Sequence, residues 1–300
     1  MSEFVKIVEV GPRDGLQNEK QALTVEQRLN FINDLISAGL KSIEVGSCVS
    51  AKWVPQMAQS DELFKLLPQT TDVQFSLLTP NIKGFETAQA VGCKEVAVFT
   101  AASESFTRKN INCSIDESFE KFSDVMNAAK AHNIRVRGYV SCIVDCPYEG
   151  AIAPEQVVKV VKRLYDMGCY EVSLGETIGT ATPNRVQKVW QACLAELDSK
   201  VLAGHFHNTY GMAIANIYQS LQQGIRVFDS SLAGLGGCPY AKGASGNVST
   251  EDLFYLLSHM GFETGIDLEK LMQASQNISN VLNRKSLSNY ANAYWQTKCA

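Results

Sequence analysis

Eight short runs rich in strand-forming residues, most of them followed by a longer stretch with helical spacing, constrain this chain more than any other feature. The runs are Val5–Val10, Ser42–Val45, Gln74–Leu78, Glu95–Thr100, Arg135–Val140, Tyr170–Leu174, Leu202–His207 and Arg226–Ser230. Between them, Thr24–Ala38, Asp116–His132, Pro154–Met167, Thr182–Leu197 and Met212–Gln223 carry apolar residues three and four apart, the period that gathers them on one helical face. Gly39, Gly92, Gly168 and Gly224 each follow a helical stretch, where a left-handed cap is wanted, and Pro154 and Pro183 stand near helix starts. The same helix-glycine-strand phrase returns as Ser-Ala-Gly-Leu-Lys-Ser-Ile-Glu, Ala-Val-Gly-Cys-Lys-Glu-Val and Asp-Met-Gly-Cys-Tyr-Glu-Val. Alternating βα units call for a parallel sheet, and eight regular ones close more readily than they stay open. The expected fold is therefore α/β, a TIM (β/α)8 barrel. Thr250–Met260 supplies the last helix, and Leu268–Asn283 with the tail to Ala300 forms a small C-terminal helical extension. One domain over 1–300 is expected, with the barrel at about 5–262 and the extension at about 263–300.

With 45% hydrophobic and 19% charged residues in 300, the chain has the profile of a globular enzyme and not of a disordered or fibrous one. A net charge of −4, with no Lys/Arg block longer than Arg284-Lys285, excludes nucleic acid as the expected partner. Apolar stretches fall far short of the ~20 residues that cross a bilayer, so no membrane partner is expected either. Met1 to Val10 runs straight into a strand pattern without an export or transit signature, and the nine cysteines form no paired framework. Both point to a cytoplasmic protein in a reducing compartment.

In such a barrel the reactive groups gather where strands end and βα loops begin. Strand one ends in Gly11-Pro12-Arg13-Asp14-Gly15, strand two in Glu44, strand six near Ser173 and Glu176, and strand seven in His205-Phe206-His207-Asn208, while Asn247 follows strand eight. Two of the four histidines, His205 and His207, sit at i and i+2 of one strand and so share a face, expected to be the barrel mouth. With Asp14 and Asn247 they offer a carboxylate, two imidazole nitrogens and an amide oxygen, a mixed set suited to Mn²⁺ or Mg²⁺, with Zn²⁺ or Co²⁺ allowed by ligand softness. Each feature also has a plainer reading. A His-x-His pair can simply alternate on an exposed strand, Asp-Gly is a common turn, and Glu44 can serve only to hold Arg13.

Ala233-Gly-Leu-Gly-Gly-Cys-Pro-Tyr-Ala-Lys-Gly-Ala-Ser-Gly-Asn247 contains five glycines in fifteen residues, as a mobile lid would. A phosphate cradle is the competing use, but the Gly-Lys-Ser/Thr ending is absent. Cys238 lies within this segment. A thiol of ordinary pKa, ~8.5, is protonated at neutral pH and can act as general acid toward a carbanion, with nucleophile as its other role.

Together these segments resemble the hydroxymethylglutaryl-CoA lyases, barrel metallolyases that share an Asp/Arg/Glu constellation. The resemblance rests on Val-Gly-Pro-Arg-Asp-Gly-Leu-Gln-Asn-Glu (10–19), Lys-Trp-Val-Pro-Gln-Met (52–57), Leu-Thr-Pro-Asn (78–81), Asn-Ile-Asn-Cys-Ser (110–114), Arg-Gly-Tyr-Val-Ser-Cys (137–142), Cys-Pro-Tyr-Glu-Gly (146–150) and the segment around Cys238. It implies that Asp14, His205, His207 and Asn247 bind Mg²⁺ or Mn²⁺ and that Arg13 and Glu44 complete the constellation. Cys238 becomes the lid thiol, and Asp14 or a histidine takes the substrate's hydroxyl proton. The implied reaction is cleavage of 3-hydroxy-3-methylglutaryl-CoA to acetyl-CoA and acetoacetate, a step of leucine catabolism and ketone-body formation. The implied partners are an acyl-CoA and further copies of the chain, as a homodimer or other homo-oligomer. Arg13, Ser173, Asn110, Arg137 and Glu176 are the expected substrate contacts, although Glu176 stands where many members carry Asp. A lyase for a related 3-hydroxy-3-methyl acyl-CoA and a Claisen condensing enzyme of the same superfamily are the alternative enzymes. A non-catalytic barrel binding metal or CoA would lack a reactive group, and none is missing.

Overall fold

In the computed structural model, which describes residues 3–68, 72–237 and 246–298, eight parallel strands close into a cylinder. They are β1 (Lys6–Glu9), β2 (Ser42–Ser47), β3 (Gln74–Leu78), β4 (Glu95–Ala101), β5 (Arg135–Ser141), β6 (Glu171–Glu176), β7 (Leu202–Phe206) and β8 (Val227–Ser230). Each pairs with its neighbours in chain order, and β8 closes on β1 through Lys6↔Val227, Ile7↔Phe228, Val8↔Asp229 and Glu9↔Ser230. The sixth strand runs two residues past its expected end at Leu174, which moves Glu176 from the following loop onto the strand itself. Residues 145–146 and 150–151 add a small antiparallel ribbon beyond β5.

The helices that wrap the cylinder are α1 (Val25–Ser37), α2 (Ser60–Leu66), α3 (Ile82–Ala90), α4 (Glu104–Ile111), α5 (Ile115–Ala131), α6 (Pro154–Asp166), α7 (Pro183–Leu194), α8 (Ala213–Gln222) and α9 (Thr250–His259). Their starts are written locally. Thr24 with Gln27 and Ser114 with Glu117 form reciprocal capping boxes, and Pro154 and Pro183 open α6 and α7, where a missing N–H goes unmissed. The extension comprises α10 (Leu268–Val281) and α11 (Asn289–Lys298). Leu271 and Ile278 of α10 join the main apolar core, and Asn277 Nδ2 donates to Asp34 of α1 at 2.8 Å.

Alternation along the strands divides the buried side chains into two populations. Outward residues such as Ile43, Val45, Val96, Val98, Val136, Val140, Val172 and Leu174 pack against the helices in one large apolar sheath. Inside the cylinder Leu78, Ala97, Phe99 and Tyr139 form a separate and much smaller apolar cluster. Charge takes up much of the rest. Arg137 of β5 reaches across to β8, giving Nη2 to Asp229 Oδ1 (2.8 Å), and also gives Nε to Glu171 Oε1 (2.7 Å) and Nη1 to Tyr139 Oη (2.7 Å). Lys6 donates to the other oxygen of Glu171 at 2.9 Å. The usual filling of a small barrel is branched aliphatics; here it is an ion network.

Candidate metal and catalytic site

The chain leaves β1 in one wide helical turn, Gly11–Gly15, closed by Gly15 N–H donating to the Val10 carbonyl at 3.1 Å. A turn of this width is found preferentially at functional sites. It carries Arg13 and Asp14 over the end of the cylinder, where Arg13 Nε donates to Glu44 Oε2 of β2 (2.5 Å) and Nη1 to Asp14 Oδ1 (2.6 Å). Two carboxylates therefore fix the guanidinium plane while leaving Nη2 outside both ion pairs. The guanidinium also lies over the Tyr139 ring, 5.6 Å from its centroid.

His205, the penultimate residue of β7, faces inward, and His207 follows two residues later on the same side. Their Nε2 atoms stand 3.3 Å apart, and Asp14 Oδ2 lies 3.9 Å from His205 Nε2. One ligand atom from each of Asp14, His205 and His207 falls within 4.8 Å of the other two, the spacing of groups that can hold one metal ion. Asn247 arrives because residues 246–249 run between the ends of β7 and β8. Gly246 C=O accepts from Asn208 N–H (2.9 Å), Val248 N–H donates to the Phe206 carbonyl (3.0 Å), and Ser231 N–H donates to the Val248 carbonyl (3.0 Å). Asn247 Nδ2 then donates to Asp14 Oδ2 at 2.9 Å. A half-turn of that amide would present its oxygen at the same place. Gly236 and Gly246 make the close approach possible: a Cβ on Gly236 (φ +119°) would stand 2.8 Å from Asn247 Nδ2, and one on Gly246 2.5 Å from the Gly236 backbone.

Burial pushes the Asp14 carboxyl upward, but Arg13, then His205 and His207, outweigh it and hold the pKa at about 2. Burial, reinforced by the neighbouring His205, pulls His207 down to about 4, so at neutral pH its ring is uncharged. Burial raises Glu44 against the pull of Arg13. Two buried atoms here lack proper partners: Glu44 Oε1 makes no hydrogen bond, and His207 Nδ1 faces the Thr177 backbone without a well-formed one. Burial pulls His205 down, but Asp229 and Asp14 outweigh it and raise its pKa. A carboxylate and two imidazoles with converging nitrogens form a donor set that suits a divalent cation when both rings are neutral.

Several expected substrate contacts lie elsewhere. Arg137 is only 2% exposed and fully engaged inside the cylinder, so it has no surface for a CoA group, contrary to expectation. Ser173 is likewise sealed, donating to Asp229 Oδ2 at 2.7 Å. Glu176 shares the outward face of β6 with Val172 and Leu174. Its Oε1 accepts from Thr180 N–H (3.2 Å), which anchors the following loop, and burial lifts its pKa to about 7. Asn110 is exposed near the end of α4. Cys238 falls outside the described residues. The sequence reading also passed over Asp229 and Tyr139, which touch His205 and Arg13 from below.

Where the glycine-rich segment begins, the turn Leu232–Gly234 is held by two buried carboxylates. Glu9 accepts from Leu232 N–H (3.0 Å), Gly11 N–H (2.8 Å) and Thr250 Oγ1 (2.6 Å). Glu251 accepts from Ala233 N–H (3.0 Å) and from the Ser275 hydroxyl, and it steadies Ala233 in the left-handed region, φ 58°. Burial, opposed by these hydrogen bonds, lifts Glu9 to about 7 and Glu251 to about 8. The folded chain therefore holds more protons than the unfolded one from about pH 4.5 to 8, and stability falls as pH rises through that window. Asp14 and Asp229, with lowered pKa values, finish titrating below it. Melting temperature is expected to decline from pH 5 to 9, and Glu251→Gln should flatten the decline. Equal slopes in the two proteins would rule out Glu251 as its source.

A family model described as HMGL-like matches residues 4–278. The hydroxymethylglutaryl-CoA lyase of Pseudomonas mevalonii is 58% identical over 92% of either chain. The 3-hydroxy-3-isohexenylglutaryl-CoA/hydroxymethylglutaryl-CoA lyase of Pseudomonas aeruginosa is 55% identical over 96% of either. A crystal structure of hydroxymethylglutaryl-CoA lyase from Pseudomonas aeruginosa superposes with a TM-score of 0.97 at 54% identity, covering 99% of both chains.

Proposed function

This chain belongs to the HMGL-like family, and from that premise we infer that it is a carbon-carbon lyase that cleaves 3-hydroxy-3-methylglutaryl-CoA to acetyl-CoA and acetoacetate. The observation that carries the reading is the convergence of Asp14, His205 and His207 beside an immobilised Arg13 at one end of the cylinder. Asp14, His205 and His207 would hold Mg²⁺ or Mn²⁺, with Asn247 as fourth ligand once its amide oxygen faces inward. When bound, such a cation supplies Lewis acidity toward the C3 hydroxyl of the substrate.

The remaining work falls to the chain. The hydroxyl proton leaves to an acceptor of the site, Asp14 or an imidazole, and the C2–C3 bond breaks to release acetoacetate. Charge then builds on the thioester oxygen of the acetyl-CoA enolate. Arg13 is always cationic, and with its plane fixed by Glu44 and Asp14 it stabilises that oxygen without reorganising. Cys238, as general acid, returns a proton to C2.

The double name of the Pseudomonas aeruginosa relative favours a second substrate, one with a longer C3 substituent. We place the reaction in leucine breakdown and the protein in the cytoplasm. Seven cysteines carry free thiols among the described residues, as a reducing compartment maintains them, and no described helix is long and apolar enough to cross a membrane. Acetoacetate release from hydroxymethylglutaryl-CoA is expected to require added Mg²⁺ or Mn²⁺ and to vanish with chelator. No product under either metal, alongside turnover of the isohexenyl analogue, would move the assignment to that acyl-CoA.

A further inference from the structure

Beneath the two imidazoles lies a carboxylate that the reaction as described does not use. Asp229, on β8, is buried, with only 2% of its surface exposed. Oδ1 accepts from Arg137 Nη2 at 2.8 Å, and Oδ2 accepts from Ser173 Oγ at 2.7 Å and faces His205 Nδ1 at 3.1 Å. With a guanidinium on one oxygen and a hydroxyl donor on the other, Asp229 is ionised and can only accept. His205 Nδ1 must then carry the hydrogen, and in the neutral ring, the form that binds a cation, Nε2 is bare. That bare nitrogen is the one pointing at His207 and Asp14.

We propose that Asp229, clamped by Arg137 and Ser173, is a positioning residue that fixes the tautomer and ring plane of His205, so that the neutral imidazole presents a preset Nε2 to a divalent cation. The inference rests on the metal reading of the site. Partners of this kind change metal affinity by about 10–100-fold when removed.

The test uses the full chain and Mn²⁺ as probe. Titration by calorimetry or electron paramagnetic resonance is expected to show Asp229→Asn binding Mn²⁺ about 10–100-fold more weakly than the parent. Ser173→Ala, which keeps the carboxylate, should show a smaller loss in the same direction. A purely structural role for Asp229 would lower the melting temperature and leave the affinity of the folded protein unchanged, and that result would overturn the proposal. Nitrogen-15 NMR of the parent protein gives an answer even if Asp229→Asn fails to fold. The metal-free protein is expected to show His205 with hydrogen on Nδ1, and a hydrogen on Nε2 instead would also overturn it. If the parent binds no Mn²⁺ at all, the metal reading falls and the proposal with it. If the parent binds and Asp229→Asn binds equally well, only the proposal falls.

Discussion

Arg13→Gln is expected to lower turnover of hydroxymethylglutaryl-CoA by about two to three orders of magnitude while leaving KM nearly unchanged. The arithmetic follows from where the charge acts. A preorganised donor aimed at a developing oxyanion contributes about 3–4 kcal/mol to the transition state, and each 1.36 kcal/mol is a factor of ten in rate. Arg13 meets the geometric requirement because Glu44 at 2.5 Å and Asp14 at 2.6 Å hold it in plane before any substrate arrives. Glutamine keeps a hydrogen-bond donor but removes the charge. Glu44, already raised by burial, can take up a proton when its partner is lost, so folding should suffer less than catalysis. Steady-state kinetics and a melting curve on the same preparation separate the two. Turnover within a few-fold of the parent would remove Arg13 from the mechanism.

The largest stability effect is expected from Arg137→Met. Removing this guanidinium strips Asp229 and Glu171 of a buried cation at 2.8 and 2.7 Å, and breaking a buried pair from one side typically destabilises by about 3–5 kcal/mol. Lys6 still reaches Glu171, but Asp229 keeps only Ser173 and His205. Arg137→Lys should rescue little, since a single ammonium cannot serve Glu171, Asp229 and Tyr139 in three directions at once. Urea unfolding followed by circular dichroism measures both. A midpoint within error of the parent would mean that the network adds nothing to stability.

The strands and most of the helices were legible because they follow short-range rules: β-branched runs, three-and-four spacing, glycine stops and proline starts. His205 and His207 were legible for the same reason, since a separation of two residues on a strand fixes a shared face. What escaped the sequence was held by long separations. Arg137 meets Asp229 across 92 residues of chain, and nothing in Arg135-Val-Arg-Gly-Tyr distinguishes a guanidinium buried inside a cylinder from one lying in solvent. Asp229 reads locally as a polar strand end before a turn. Glu176 was misplaced because the end of β6 was set two residues too early, and its parity along the strand, which turns it outward, was lost with that boundary. Asn247 was named for its place after strand eight, but what brings it to the site is the backbone of 246–249 threading between β7 and β8.

The division of β5 into an inner edge of Arg137 and Tyr139 and an aliphatic outer edge of Val136 and Val140 has a consequence for how such a chain can change over time. Deleting or inserting one residue at the start of β5 would turn Arg137 and Tyr139 toward α6 and send Val136 and Val140 into the lumen, losing a salt bridge inside the cylinder and stranding a charge among apolar residues outside it. Single-residue length changes are therefore confined to the connections at the two rims, such as the stretch from Val49 to Ala58. Drift toward a new acyl group is open to those rim connections and closed to the staves.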